Sequence, residues 1–181
     1  MGRPPRHRSR HRSLSPIEIR LARETELSEI PRIELSAAQK FVGQDVPGEL
    51  LTDVAGPDAY RPHLNAGTLW VADDGGGPVA FLAGRVEGER LHVDELDVRQ
   101  DRQGQGLGRR LLAHAAEWAR ASGLTRMSLT TFRNIPWNGP FYASVGFREW
   151  PEDEAPASLR QALANERARG LQGRCAMVMD L

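Results

Sequence analysis

Three glycines, Gly104, Gly106 and Gly108, crowd the stretch "QDRQGQGLGRRLLAHAAEWA", which then turns without pause into a helical pattern. A capping loop needs one or two glycines, so the excess suits a backbone that something large must approach closely. The first turn of a helix has unpaired N–H groups and the positive end of the helix dipole, which together favour a phosphate. A flexible strand-to-helix connection is the plainer reading. Two familiar phosphate loops fail on spacing. Counting Gly-x-Gly-x-x-Gly from Gly104 puts Arg109 at the sixth position, and counting from Gly106 puts Leu111 there, so the dinucleotide fingerprint is absent. A P-loop needs Gly-Lys-Ser/Thr before its helix, and Lys40 is the only lysine in the chain.

The elements around the loop must place it. "IEIRLA" alternates as a strand, and "ETELSEIPRIELSAAQKFV" carries Leu27, Ile30, Ile33, Phe41 and Val42 near helical spacing, with Pro31 imposing a kink or restart. "GELLTDVAGPDAYRPHLNAG" reads as a short helix and then an irregular loop. "TLWVAD" and "VAFLAGRVE" flank the turn cluster "DGGGP", and "RLHVDELDVR" follows the turn Gly88-Glu89, so three successive strands are antiparallel neighbours. On that last strand strict alternation puts His92 and Leu96 on one face and Glu95 and Asp97 on the other. Beyond the glycines, Leu107, Leu111, Ala115, Trp118 and Ala119 share a helical face that Gly123 ends. "RMSLTTF" is a strand, which makes a parallel, right-handed crossover with the strand before the loop. A short helix in "WNGPFYASVG", a strand "FREW", a helix in "APASLRQALANERARG" and a last strand "CAMVMDL" complete an α+β pattern.

Composition bounds the rest. The chain has 181 residues, 40% of them hydrophobic, enough for one domain with a buried core. Twenty-four Lys+Arg balance 24 Asp+Glu, so no overall charge draws it to nucleic acid or membrane, and no stretch is long and apolar enough to span a bilayer. Residues 1–15 crowd Arg3, Arg6, Arg8, Arg10 and Arg12 and read as a disordered basic tail, with one domain over 16–181. The single cysteine, Cys175, excludes an intrachain disulfide and a multi-cysteine metal site, so a reducing, cytoplasmic setting and no metal are expected. Cys175 itself reads as a small buried thiol on the last strand.

Gln103, Gly104, Gln105, Gly106, Leu107 and Gly108 have the form Gln/Arg-x-x-Gly-x-Gly/Ala after a strand and before an amphipathic helix. "LDVRQDRQGQGLGRRLL" resembles the acetyl-CoA signature of the GNAT superfamily of N-acetyltransferases, and "NIPWNGPFYASVGF" resembles that family's second signature. The resemblance covers residues 17–150. It implies a mixed α+β sheet of about seven strands with four or five helices, an antiparallel meander joined to a strand-helix-strand crossover.

The resemblance also implies roles. Backbone N–H groups from Gly104 to Arg109 would hold the coenzyme pyrophosphate, and Leu96, Asp97 and Val98 would pair through their backbone with the pantetheine arm. The Leu96 N–H would polarise the thioester carbonyl. Asn134 and Asn138 resemble the amides that touch the coenzyme arm, although either could instead cap the short helix. Tyr142 matches the tyrosine that protonates the leaving sulfur; its plain reading is a packed aromatic. For the general base, His92 and Glu95 are the candidates, and Thr130 stands where other members carry a carboxylate. Arg109 and Arg110 either reach the 3'-phosphate or simply face solvent. Asp45, Glu49, Asp53 and Asp58 with Phe41, Tyr60 and Trp137 suit a cationic acceptor, or are solvated loop residues. The expected activity is transfer of acetyl from acetyl-CoA to a primary amine by direct attack in a ternary complex. A non-catalytic acyl-CoA sensor of the same fold is the alternative, nucleic acid is disfavoured, and a homodimer stays open.

Overall fold

The computed structural model describes residues 16–181, so the basic tail read over 1–15 lies outside the described residues. Seven strands form one mixed sheet in the order β1-β2-β3-β4-β5-β7-β6. They are β1 (Glu18–Leu21), β2 (Leu69–Asp73), β3 (Pro78–Glu87), β4 (Arg90–Val98), β5 (Arg126–Phe132), β6 (Arg148–Trp150) and β7 (Arg174–Asp180). The expected meander is β2-β3-β4, and β4 pairs in parallel with β5 across the expected crossover. The last strand enters between β5 and β6, antiparallel to both.

Five α-helices cover the two faces: α1 (Ile30–Ala38), α2 (Arg61–Asn65), α3 (Leu107–Ala121), α4 (Gly139–Val145) and α5 (Ala157–Ala168). Pro31 falls in the first turn of α1, where its missing N–H is no loss, so it restarts the helix rather than kinking one. The segment after Pro47 departs from the expectation of a helix followed by a loop. A 3-10 turn spans Gly48–Leu51, but a second one at Pro57–Tyr60 runs on into α2.

Alternation along β3 builds two cores. Ala80 and Leu82 face α3, whose buried stripe includes Leu107, Leu111, Leu112, Ala115 and Ala119. Phe81 and Ala83 face the other way, against Ile30, Ile33 and Tyr60. Each fully buried leucine there contributes about 1.5–3 kcal/mol. A smaller cluster joins Leu159 and Leu163 of α5 to Ala176 of β7. Cys175 is buried in β7, as the sequence suggested, and burial pushes its thiol pKa up.

Candidate active site

The site is made by an irregularity in β4. Glu95 pairs with Ala83 of β3 while Val93 pairs with the next residue, Gly84, so Asp94 is an extra residue bulged out of the ladder. The bulge corrects the alternation expected from sequence. Glu95 and Asp97 are in register with Ala83 and Phe81, and His92 with Arg85, so all three β4 residues project to the same face, the one covered by α1. Leu91, Val93, Leu96 and Val98 take the opposite face, toward α3. Asp94 is tied down by Arg85 and by His63, whose Nε2 lies 2.9 Å from Asp94 Oδ2.

The same place ends the pairing of β4 with β5. Register runs only through Arg90–Arg126, Leu91–Met127 and His92–Ser128, after which the strands part. The antiparallel ladder on the other side of β4 then fixes which backbone groups are free. Arg99 N–H donates to Val79 O at 2.9 Å, which makes Arg99, Asp97 and Glu95 the residues hydrogen-bonded to β3. Leu96 and Val98 therefore turn their backbone groups into the gap. The Val98 carbonyl is taken by the Gln103 side-chain amide at 3.0 Å, so Gln103 pins the glycine loop to the strand. What stays open along the gap is the set that an added extended arm would use, including the N–H of Leu96.

At the head of the gap, the three glycines serve two purposes. Gly104 (φ +74°) and Gly106 (φ +77°) hold left-handed backbone with no atom near a built Cβ, and Gly106 is the residue preceding α3. Gly108 has ordinary helical backbone, and its Cβ would lie 3.4 Å from Phe141 of α4, so it lets α3 and α4 approach. Leu107 is core. Gln105 is exposed and does not line the cavity. Arg109 is held by the Ser144 carbonyl and hydroxyl beside Phe141, and Arg110 donates to the Ile17 carbonyl at 2.7 Å, so Arg110 points away from the cavity.

Gap and loop open into a cavity of about 700 Å³. Glu95, Asp97 and Tyr142 line it. His92 does not: it is 4% exposed, with Nδ1 3.0 Å from Ser128 Oγ, and burial pushes its pKa down. His92 thus shares a face with Glu95 but is closed off beneath the last paired residues, which removes it as a candidate base. Burial, with Glu34 adding repulsion, pushes the Glu95 carboxyl up to about 7. Asp97 is raised well above its ordinary value, mainly by burial and by repulsion from Glu95 and Glu34. Glu34 of α1 accepts from the Tyr60 hydroxyl at 2.7 Å, and burial raises its pKa too.

Tyr142 stands on α4, wedged edge-on between Phe141 and Phe147. Its hydroxyl has no hydrogen-bond partner among the described residues, and burial with the nearby carboxyls pushes the phenol pKa upward, so it stays protonated. Asn138, the residue preceding α4, lines the cavity and leaves its Oδ1 buried without a partner, a vacancy that fits an amide N–H of an extended arm. Asn134 is exposed, neither caps α4 nor reaches the cavity.

The acceptor side differs from expectation. Phe41 and Trp137 line the cavity as expected, but Tyr60, Asp45, Glu49, Asp53 and Asp58 do not, whereas Glu34, Glu166 and Arg174 do. Thr130 on β5 donates to Glu166 Oε1 at 2.6 Å, so α5 delivers a carboxylate to the position where the strand itself has none. Arg174 binds the same carboxylate through Nε at 2.9 Å and Nη2 at 3.1 Å. No local motif signals this cluster, because its members lie on α5, β5 and β7.

A family model described as "Acetyltransferase (GNAT) domain" matches residues 65–149, just under half of the chain. Among solved structures, the fold is similar to that of PaiA N-acetyltransferase from Thermoplasma acidophilum in complex with coenzyme A, with a TM-score of 0.73 at 12% identity over 92% of this chain and 99% of that one. A GNAT-family acetyltransferase from Staphylococcus aureus Mu50 gives 0.70 at 16% identity, again over 92% and 99%. N-acetylglutamate synthase from Neisseria gonorrhoeae, complexed with coenzyme A and N-acetyl-glutamate, gives 0.68 at 21% identity over 92% of this chain, which spans only 35% of that protein. At such identities the structural likeness is one of fold. The family match adds a likeness in sequence, since it takes in the bulged strand, the glycine loop, α3, β5 and α4: residues 65–149 are similar to a GNAT acetyltransferase domain.

Proposed function

We propose that the protein transfers the acetyl group of acetyl-CoA to a primary amine by direct attack within a ternary complex, in one domain over residues 16–181 and in a reducing, cytoplasmic setting. The carrying observation is the gap between β4 and β5, which has the glycine loop at its head and the Glu95 and Tyr142 side chains in the cavity it opens into. The pyrophosphate lies on the N–H groups from Gly104 to Arg109, favoured by the α3 dipole. The pantetheine arm follows Val98 and Leu96 and gives an amide N–H to Asn138 Oδ1.

In the reaction the amine nitrogen bonds to the thioester carbon. The Leu96 N–H stabilises the oxyanion, a service worth about 3 kcal/mol of barrier. Glu95, raised to about 7, is ionised in a useful fraction near neutral pH and takes the proton lost by nitrogen, directly or through a water. The carbon–sulfur bond then breaks, and the Tyr142 hydroxyl protonates the thiolate. A neutral amine entering and a neutral amide and thiol leaving balance these two proton transfers.

The test is calorimetry with acetyl-CoA followed by an amine panel read by release of free thiol. Stoichiometric binding, a raised Tm and thiol release that depends on amine are expected. Absence of binding at millimolar acetyl-CoA defeats the proposal, and binding without turnover on any amine transfers the role to an acyl-CoA sensor.

A further inference from the structure

Resting on the acetyl-transfer reading, we infer that the acceptor is an amine that also carries a carboxylate, and that Arg174, assisted by Arg169, is the site that binds this carboxylate. Arg174 sits at the start of β7 and lines the cavity, its guanidinium 4.6 Å above the Phe132 ring. Nε and Nη2 are spent on Glu166 and Thr130. Nη1 has no partner among the described residues, although the side chain is only 15% exposed. A donor fixed on three sides and left open on the fourth is pre-organised for a planar anion, and the stacked, bidentately held guanidinium has little freedom to lose on binding it.

The position of this donor limits the ligand. Arg174 lines the same cavity of about 700 Å³ as Glu95 and Tyr142, so an anion on Nη1 shares one enclosed space with the proposed base and acid. Arg169, at the end of α5, lines the same cavity and has only a loose 3.4 Å contact with Asp53, leaving it free to turn inward. Val46 and Leu51 from one loop and Leu171 from the other add apolar wall to the same cavity. The two loops touch, since a Cβ on Gly170 would be 3.5 Å from Pro47. The cavity thus offers a carboxyl that accepts a proton from nitrogen, a guanidinium with an open donor for an anion, and apolar wall, which is the complement of an amino acid rather than of a polyamine.

The experiment compares L-amino acids with their carboxamides and their decarboxylated amines as acceptors, in the parent protein and in Arg174→Lys and Arg169→Met. Arg174→Lys keeps a cation for Glu166 but loses the open Nη1, and Arg169 is a surface residue, so both variants should fold; acetyl-CoA affinity checks this. The parent should favour at least one acid over its carboxamide by tenfold or more in kcat/KM, and each variant should reduce that ratio about tenfold, mainly through KM of the acid. Carboxamides or decarboxylated amines accepted as well as the acids would overturn the inference while leaving acetyl transfer standing. No acetylation of any member, with acetyl-CoA still bound, defeats acetyl transfer itself and the inference with it.

Discussion

Replacing Glu95 by glutamine should make the protein more stable and less active, and the stability gain should appear only at high pH. The Glu95 carboxyl is raised from 4.5 to about 7 in the native state, mainly by burial. A raised carboxyl binds its proton more tightly in the native than in the unfolded chain, so the stability this provides is complete below pH 4.5 and is lost as pH climbs to about 7. At 1.36 kcal/mol per pH unit the full loss is about 3 kcal/mol, and water entering the cavity reduces it to about 1–3 kcal/mol. Glutamine has no such charge and nearly the same volume. Glu95→Gln should therefore raise Tm at pH 8 by about 3–10 °C, using 2–4 °C per kcal/mol for a domain of this size, and change it little at pH 4.5. In the same variant kcat/KM should fall by about 10² to 10⁴, and the rise of the parent's rate through pH 7 should disappear. Thermal unfolding at the two pH values and a pH–rate profile decide it. Equal Tm shifts at both pH values would refute the buried-charge argument, and a retained profile would refute the assignment of Glu95 as base.

Three further outcomes are expected. Tyr142→Phe keeps the ring between Phe141 and Phe147 and removes only the hydroxyl, so kcat should fall about ten- to thousandfold with coenzyme affinity nearly unchanged, and fall less for acyl donors with a more acidic thiol; stopped-assay kinetics and calorimetry measure this. Gly106→Asp should weaken acetyl-CoA binding at least tenfold by calorimetry, because a carboxylate enters the proposed phosphate site, while the φ of +77° costs about 1–2 kcal/mol of stability. Gly139→Ala should destabilise by about 1–3 kcal/mol in denaturant unfolding, since its Cβ would sit 2.4 Å from the Arg133 carbonyl, whereas Gly48→Ala, with open space around it, should not.

Where pattern and burial coincide, the sequence was a good guide. The turn clusters at Asp74–Pro78 and Gly88–Glu89 sit between strands that alternate or are wholly apolar, and the amphipathic stripe of α3 could only face a sheet. The helical segment over 57–65 was missed because Pro57 and Pro62 break the pattern, yet each occupies a first-turn position that tolerates proline. The insertion of β7 between β5 and β6 leaves no local trace. Neither does the Glu166–Thr130–Arg174 cluster, whose hydrogen bonds join residues up to 44 positions apart.

The bulge at Asp94 is a different case, because its signal was present and strict alternation hid it. The apolar positions of the strand are Leu91 and Val93, then Leu96 and Val98: steps of two on either side of a single step of three. An unbroken strand with one buried face would require an apolar residue at position 95, and a carboxylate stands there instead. Burying Leu96 and Val98 against α3 together with Leu91 and Val93 is possible only if one residue drops out of the ladder. Asp94 is suited to that place, since Arg85 pairs with its charge and His63 hydrogen-bonds it. The slip then has two consequences at once. It turns Glu95 and Asp97 together toward α1 and Glu34, where shared burial raises their pKa values, and it coincides with the end of β4–β5 pairing after His92–Ser128. The proposed base and the proposed slot for the acyl donor therefore arise from one extra residue, and deleting Asp94 should abolish both while leaving β2–β3 pairing intact.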